Sequence, residues 1–124
     1  MVIDSAPSTA EAVIRKYFEA VDQNAILELL DCFSDDVIYE RPGYPPICGR
    51  SKLRSFYETE RIIASGKHVI EGLIVRNAAA ACWGRFDGTR RDGTPITARF
   101  ADIYEVNDAG RISHRITHFF APLC

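Results

Sequence analysis

The sequence lacks the features that mark several classes of protein. Its 15 Lys and Arg residues are offset by 17 Asp and Glu residues, so the basic excess of a nucleic-acid-binding surface is absent. Its apolar runs are too short to cross a bilayer. Residues 1–12 lack the basic and apolar regions of a secretory signal. These absences predict a cytoplasmic protein that binds neither nucleic acid nor membrane.

Closely spaced metal ligands are also missing. No C-x-x-C pair occurs, and a chain of this length can bury a core without disulfide bonds or metals. His114 and His118 have a spacing that brings two side chains together on a helix, but on a strand it separates them by about 13 Å. We therefore expect no metal, no cofactor and reduced thiols at all four cysteines, which are Cys32, Cys48, Cys82 and Cys124.

The first half of the chain carries helix signals. Ser8, with Glu11 three residues later, is a capping box that predicts a first helix with apolar residues at helical spacing. Asn24 is a predicted cap for a second helix. Ser51 is a predicted cap for a third helix that extends to about Ala64, where Ser-Gly-Lys would end it. A strand at residues 37–41 and a loop rich in Pro and Gly separate the last two helices.

The second half of the chain reads as strands joined by short turns. The predicted strands cover residues 68–75, 79–88, 95–106 and 111–120, and His68 is expected to be exposed where the first of them begins. Helices followed by a strand meander predict an α+β fold, in which a curved antiparallel sheet wraps around the helices. We expect one domain over residues 1–124, with residues 1–7 loosely ordered.

Alternation along these strands assigns side chains to faces. Glu40 and Arg41 should point to opposite faces, and Trp83, Arg85 and Asp87 should share one. If Asp102 points inward, so should Ala98, Phe100 and Tyr104. In the last strand one face carries Arg115, Thr117 and Phe119, and the other carries His114, Ile116, His118 and Phe120.

Four segments, taken in order, resemble the NTF2-like superfamily, and more narrowly its SnoaL-like and ketosteroid-isomerase-like branch. They are KYFEAVD, DDVIYERPGYPPICGR, FYE and ADIYEVNDAGRI, and the resemblance covers nearly the whole chain. It implies a cone-shaped fold, in which three N-terminal helices pack on a curved mixed or antiparallel sheet that encloses a deep apolar pocket. The substrate-binding residues that the resemblance implies in this pocket are Trp83, Arg85, Asp87, Phe100, Thr117 and Phe119.

The ketosteroid isomerase branch implies roles for five residues. Tyr17 stands where the oxyanion-binding tyrosine would be, Tyr57 where its supporting tyrosine would be, and Asp102 where a neutral aspartic acid would donate a hydrogen bond. Glu40-Arg41-Pro42 stands where the steroid isomerases have Glu-Asp-Pro, so Arg41 occupies the position of the catalytic base. Glu40 could act as the base only after a register shift. The implied function is a cofactor-free acid–base enzyme, an isomerase or cyclase, acting on an apolar or polycyclic small molecule.

Three alternatives remain open from the sequence. Arg85 and Asp87 are similar to part of the Asp–Arg–Asp site of limonene-epoxide-hydrolase-like proteins, with Thr117 in place of the second Asp, and this implies epoxide opening. Asp102 could instead form a salt bridge to Arg85 or Arg41. The domain could also bind a small ligand without catalysis. In each case we expect a homodimer through the outer sheet face, which includes Ile116.

Overall fold

The computed structural model describes residues 9–121, in which helices and strands appear in the order expected for an α+β fold. The helices are α1 (Thr9–Asp22), α2 (Ile26–Asp31) and α3 (Arg50–Ser55), and a π-helical turn at Phe56–Glu60 continues α3. The strands are β1 (Phe33–Glu40), β2 (Ile47–Cys48), β3 (Ile63–Arg76), β4 (Ala79–Arg90), β5 (Pro95–Val106) and β6 (Ile112–Phe119).

The six strands form one mixed sheet in the order β2-β1-β6-β5-β4-β3. Strands β3 to β6 form an antiparallel meander. The parallel pairing of β1 with β6 inserts the last strand beside the first. The meander follows from the turn residues between its strands, since Asn77, Gly93 and Gly110 adopt the positive φ angles that tight turns require.

The helices cover one face of the curved sheet because α1 is apolar along one side. Its buried side chains recur at helical spacing and pack against the sheet, and they include Ile14, Tyr17, Phe18 and Val21. Every second side chain of strand β5 is buried, including Phe100, Asp102 and Tyr104, and those between them are exposed or half-buried. The prediction that Asp102 shares a face with Ala98, Phe100 and Tyr104 is therefore confirmed, and this face is the inner one.

The boundaries of three elements differ from the predictions. Asn24 does not cap α2, because it adopts a left-handed conformation and Ala25 precedes the helix. Helix α3 begins after Gly49 rather than at a Ser51 cap. Residues 65–67 do not end a helix but belong to β3, since each pairs with β4. Cross-strand pairing outweighs the local breaker signal here. The two-residue strand β2 was not predicted.

Cys32, Cys48 and Cys82 are free thiols, whereas Cys124 and residues 1–7 lie outside the described part of the chain. Burial raises the pKa of Cys32 to about 11 and that of Cys82 to about 12, so both are protonated at neutral pH. Within residues 9–121 no helix is long and apolar enough to span a membrane. The same residues contain no group of three or more potential His, Cys, Asp or Glu metal ligands.

Candidate functional site

A cavity of about 920 Å³ lies between the helices and the concave side of the sheet. Its size is in the range of small-molecule sites, which are mostly apolar with a few polar groups. Aromatic side chains from α1, β1, the π-helical turn, β4 and β5 make up much of its wall, and they include Tyr17, Tyr39, Phe56, Tyr57, Phe86 and Phe100.

A buried ion pair lies behind this wall. Arg115 donates from Nη2 to Asp102 Oδ2 at 2.9 Å, and Asp102 is fully buried. The carboxylate also accepts hydrogen bonds from the Tyr104 hydroxyl at 2.9 Å and from the Thr117 hydroxyl at 2.7 Å. Because the Thr117 proton is used in this way, Tyr39 must be the donor in its 3.0 Å hydrogen bond to Thr117.

Arg115 of this ion pair places a permanent positive charge next to the cavity. Burial alone would lower the pKa of Arg115, but Asp102 and the surrounding tyrosine oxygens raise it well above its ordinary value. An arginine keeps its proton under all ordinary conditions. The pair therefore places a permanent guanidinium next to the ligand space, with Asp102 as its counter-ion.

Arg115 holds Tyr17 and Tyr57 together. Its Nη1 donates to the Tyr17 hydroxyl at 2.6 Å and to the Tyr57 hydroxyl at 3.3 Å, and the two hydroxyls are 2.6 Å apart. Tyr17 and Tyr57 each carry one phenolic proton, but the hydrogen bond between the two hydroxyls uses only one of these protons. The second proton therefore remains for a ligand, because within residues 9–121 it has no further acceptor.

The first of these tyrosines remains a neutral phenol. Burial raises the pKa of Tyr17 well above its usual value, although the charge of Arg115 opposes this effect. A neutral hydroxyl donates a hydrogen bond, and a cation behind the pair polarises the whole chain of bonds. The arrangement resembles an oxyanion-binding site in a largely aromatic pocket.

His68 lies on the cavity wall with an oriented carboxylate behind it. Its Nδ1 is 2.6 Å from Asp22 Oδ1, and its backbone N–H donates to Asp22 Oδ2 at 2.9 Å. Burial lowers the pKa of His68, and Asp22 opposes this effect, so the ring is neutral at pH 7. Because Asp22 accepts the proton of Nδ1, Nε2 carries the free lone pair. The expectation that His68 is exposed was wrong, since the phenyl rings of Phe18, Phe86 and Phe100 contact its imidazole.

Glu40 and Arg41 lie on opposite faces, as the strand alternation predicted. Glu40 is on the outer face, where its Oε2 is 2.6 Å from His114 Nε2. Arg41 is at the cavity, with its guanidinium carbon 4.4 Å from the centre of the Tyr44 ring and 4.3 Å from that of Phe56. The structure therefore separates Glu40 from the other site residues and leaves Arg41 among them.

Three other residues that were predicted to line the cavity lie on the opposite face of the sheet. Trp83, Arg85 and Asp87 do share a face, but it is the exposed outer face of β4, and the inner positions belong to Cys82, Gly84 and Phe86. Arg85 lies 3.6 Å from Glu71 and 4.0 Å from Asp87 at the surface. Their predicted place in the pocket is corrected accordingly, whereas Phe100, Thr117 and Phe119 do line it.

The environment of Asp102 also differs from the one that the resemblance implied. It has no exposed surface from which to donate a hydrogen bond to a ligand, and its partner is Arg115 rather than Arg85 or Arg41. Arg115 was assigned to the correct face but was not singled out. The register of β5 with β6 pairs Tyr104 with Arg115 and Asp102 with Thr117. Knowledge of this register would have predicted the contact between Arg115 and Asp102.

The profile of the SnoaL-like domain matches residues 14–115, which is most of the chain. The chain belongs to the SnoaL-like domain family. No curated protein is a significant match to the sequence.

Solved structures show the NTF2-like fold of this SnoaL-like domain. An NTF2-like protein of unknown function from Burkholderia pseudomallei K96243 has a TM-score of 0.82 at 18% identity, covering 91% of this chain and 92% of its own. An M. tuberculosis LEH-like epoxide hydrolase has a TM-score of 0.79 at 17% identity, and the match covers 90% of this chain and 82% of the hydrolase. A Mycobacterium tuberculosis protein in complex with estradiol-17beta-hemisuccinate has a TM-score of 0.81 at 19% identity, covering 94% and 96%. At such identities the likeness concerns the fold.

Proposed function

We propose that this SnoaL-like domain is a cofactor-free proton-transfer enzyme, an isomerase or cyclase, whose substrate is an apolar or polycyclic carbonyl compound. The observation that carries the proposal is the His68–Asp22 pair, with Nε2 unpartnered among the described residues, on the wall of a cavity that also presents the Tyr17–Tyr57 pair. A base and an oxyanion donor on one apolar cavity are the two parts that enolisation requires.

In the proposed reaction His68 Nε2 removes a proton from the carbon next to the substrate carbonyl. The imidazolium that forms is stabilised by the carboxylate of Asp22, 2.6 Å from Nδ1. The developing enolate oxygen accepts the free phenolic proton of the Tyr17–Tyr57 pair as a hydrogen bond. His68 then returns the proton at another carbon, which isomerises the substrate. Alternatively, the enolate carbon attacks a second carbonyl, which closes a ring, and the imidazolium of His68 protonates the alkoxide that forms.

This proposal reassigns the base that the sequence left undecided. Glu40 faces away from the cavity, and Arg41 cannot accept a proton. Asp102 contributes through Arg115, so both are positioning residues for the tyrosine pair. The steroid ester bound by the Mycobacterium tuberculosis neighbour has the apolar, polycyclic character that we propose for the substrate here.

Hydrogen exchange at carbon tests the proposal without knowledge of the natural substrate. We would incubate the protein in D2O with 2-tetralone, and separately with a β,γ-unsaturated steroid ketone, and follow loss of the α-proton signal by NMR. Wild type should accelerate exchange, and His68→Gln should reduce that acceleration by about 10²–10⁴-fold.

His114→Gln is the matched control, because His114 lies on the outer face and should leave the rate unchanged. Equal rates for wild type and His68→Gln, or no acceleration of either probe, would contradict the proposal. Saturable binding without exchange would favour a non-catalytic ligand-binding domain instead.

Epoxide opening is the second candidate, favoured by the LEH-like epoxide hydrolase among the structural neighbours. It is the weaker one, because Arg85 and Asp87 lie on the outer face. A diol product carrying oxygen from ¹⁸O-labelled water would support it.

We further propose that the outer sheet face pairs with a second copy of the chain. A row of apolar side chains in register crosses four strands, formed by Ile116, Ile103, Ala81 and Ile74, with exposed Trp83 beside it. Arg85 and Glu71 border this row, so a two-fold pairing of identical faces can match opposite charges. A cytoplasmic location stays a prediction, which cell fractionation would test.

A further inference from the structure

Arg41 is a cation at the cavity for which residues 9–121 provide no anionic partner. Its side chain makes no ion pair or hydrogen bond within them, and its contacts are with the rings of Tyr44 and Phe56. Its Nε is buried and has no hydrogen-bond acceptor in the described part of the chain. A buried donor without an acceptor is costly, and aromatic rings do not replace an acceptor in the plane of a guanidinium.

The neighbouring charges do not neutralise Arg41. Arg61 also lines the cavity, and its guanidinium lies 5.6 Å from the centre of the Tyr57 ring. Glu60 is the acidic side chain on the same described wall, but it is within ion-pair distance of neither arginine. This part of the cavity wall therefore carries more positive than negative charge, in contrast to the internally paired Asp102 and Arg115.

The position of Arg41 relates this charge to the proposed reaction site. Its guanidinium is 4.3 Å from the centre of the Phe56 ring, and that ring is 5.0 Å from the ring of Tyr57. One aromatic ring thus separates Arg41 from the tyrosine pair. A polycyclic ligand that reaches the tyrosine pair through one oxygen can place a second substituent at Arg41.

We propose that Arg41 binds a carboxylate of the ligand, so the natural substrate is an aromatic or polycyclic carboxylic acid. The two Nη atoms of an arginine form a fork that matches the two oxygens of a carboxylate, and within the described residues those of Arg41 are unpartnered and, unlike its Nε, are not buried. The inference rests on the cavity of the proposed function and adds the charge of its substrate.

A matched pair of probes tests the inference through binding alone. Isothermal titration calorimetry would compare 2-naphthoate with 2-naphthamide, which has nearly the same shape without the charge. Wild type should prefer the carboxylate by about tenfold or more, the effect of charge-assisted hydrogen bonds in a partly dry site. Arg41→Met, which keeps an apolar stem, should remove the preference. Arg41→Lys should keep part of it, because it retains the charge without the fork.

Arg76→Met is the control, since Arg76 is exposed at the end of β3 and is remote from the cavity lining. Equal affinity of wild type for the two probes, no binding of naphthoate at millimolar concentration, or an unchanged preference in Arg41→Met would overturn the inference. Should Arg41→Met not fold, Arg41→Lys decides in its place. A reduced preference for the carboxylate in Arg41→Lys would support the inference, and an unchanged preference would overturn it. Because neither probe can be enolised, a failure here is distinct from a failure of the proton-exchange test.

Discussion

Replacement of Arg115 by Met should destabilise the protein strongly, because it leaves the Asp102 carboxylate buried without its counter-ion. Asp102 has no exposed surface and would keep only the neutral hydroxyls of Tyr104 and Thr117 as donors. Removal of one partner of a buried ion pair typically costs about 3–5 kcal/mol. Tyr17 and Tyr57 would also lose their shared donor. The loss is a large part of the about 5–15 kcal/mol that stabilises a typical domain.

Urea unfolding at neutral pH measures this loss directly, and thermal unfolding should show a decrease in Tm of about 10 °C or more. The more informative variant is the double substitution Arg115→Met with Asp102→Leu. It removes both charges and replaces them with apolar groups, which is often neutral or even stabilising. We therefore expect the double variant to be more stable than Arg115→Met alone.

A double-mutant cycle decides whether this reasoning is correct. If Asp102 and Arg115 are one buried unit, the cost of the double variant should be lower than the sum of the two single costs by about 1 kcal/mol or more. Strict additivity, or a cost below about 1 kcal/mol for Arg115→Met, would mean that water reaches the pair and that the charges are solvated.

Three further predictions concern other parts of the molecule. Burial lowers the pKa of His68 in the folded state, so the unfolded chain binds the proton first as pH falls below about 6.5, and the free energy of unfolding decreases there. Urea unfolding at two pH values should show a smaller decrease in this free energy for His68→Gln than for wild type. Gly84→Ala should cost about 1–3 kcal/mol or more in urea unfolding, because a Cβ would lie 1.9 Å from the Val69 carbonyl oxygen; wild-type stability would refute this close approach. Ile116→Glu should convert a dimer to a monomer in sedimentation velocity, and a monomeric wild type would refute the proposed pairing.

The fold was largely predictable because its signals are local and repeated. Alternation in β5 predicted that Phe100, Asp102 and Tyr104 share one face, and a helical apolar stripe predicted α1 with Tyr17 on its buried side. The proximity of Tyr17 and Tyr57 followed only from the resemblance, since 40 positions separate them in the chain.

The face of β4 could not be predicted from alternation, because both of its faces carry small and aromatic residues. The resemblance placed Trp83 in the cavity wall, yet the inner position at this point of the strand belongs to Gly84. The bulge between Ile70 and Gly72 changes the pairing of β3 with β4, and no sequence pattern marks it. The resemblance was therefore a poor indicator of which face of β4 is the inner one.

The central pairs of the site were missed for a different reason. His68 and Asp22 are 46 positions apart, and the contact depends on how the end of α1 meets the sheet. The bond between Arg115 and Asp102 depends on the register of β5 with β6. Such contacts are set by tertiary packing, which single-residue patterns do not contain.

The position of β6 has a consequence for the order in which the molecule can form. β6 lies between β1 and β5, although it is the last of the six strands that residues 9–121 form. During synthesis the strands from β1 to β5 emerge first, but the sheet stays in two pieces, β2-β1 and β5-β4-β3, until β6 joins them. Arg115 and Thr117 arrive on this strand, so the Asp102 carboxylate lacks two of its three donors until the last step. A nascent chain stopped before β6 would thus expose two unpaired strand edges, the state in which sheet proteins are most prone to aggregate and to need a chaperone.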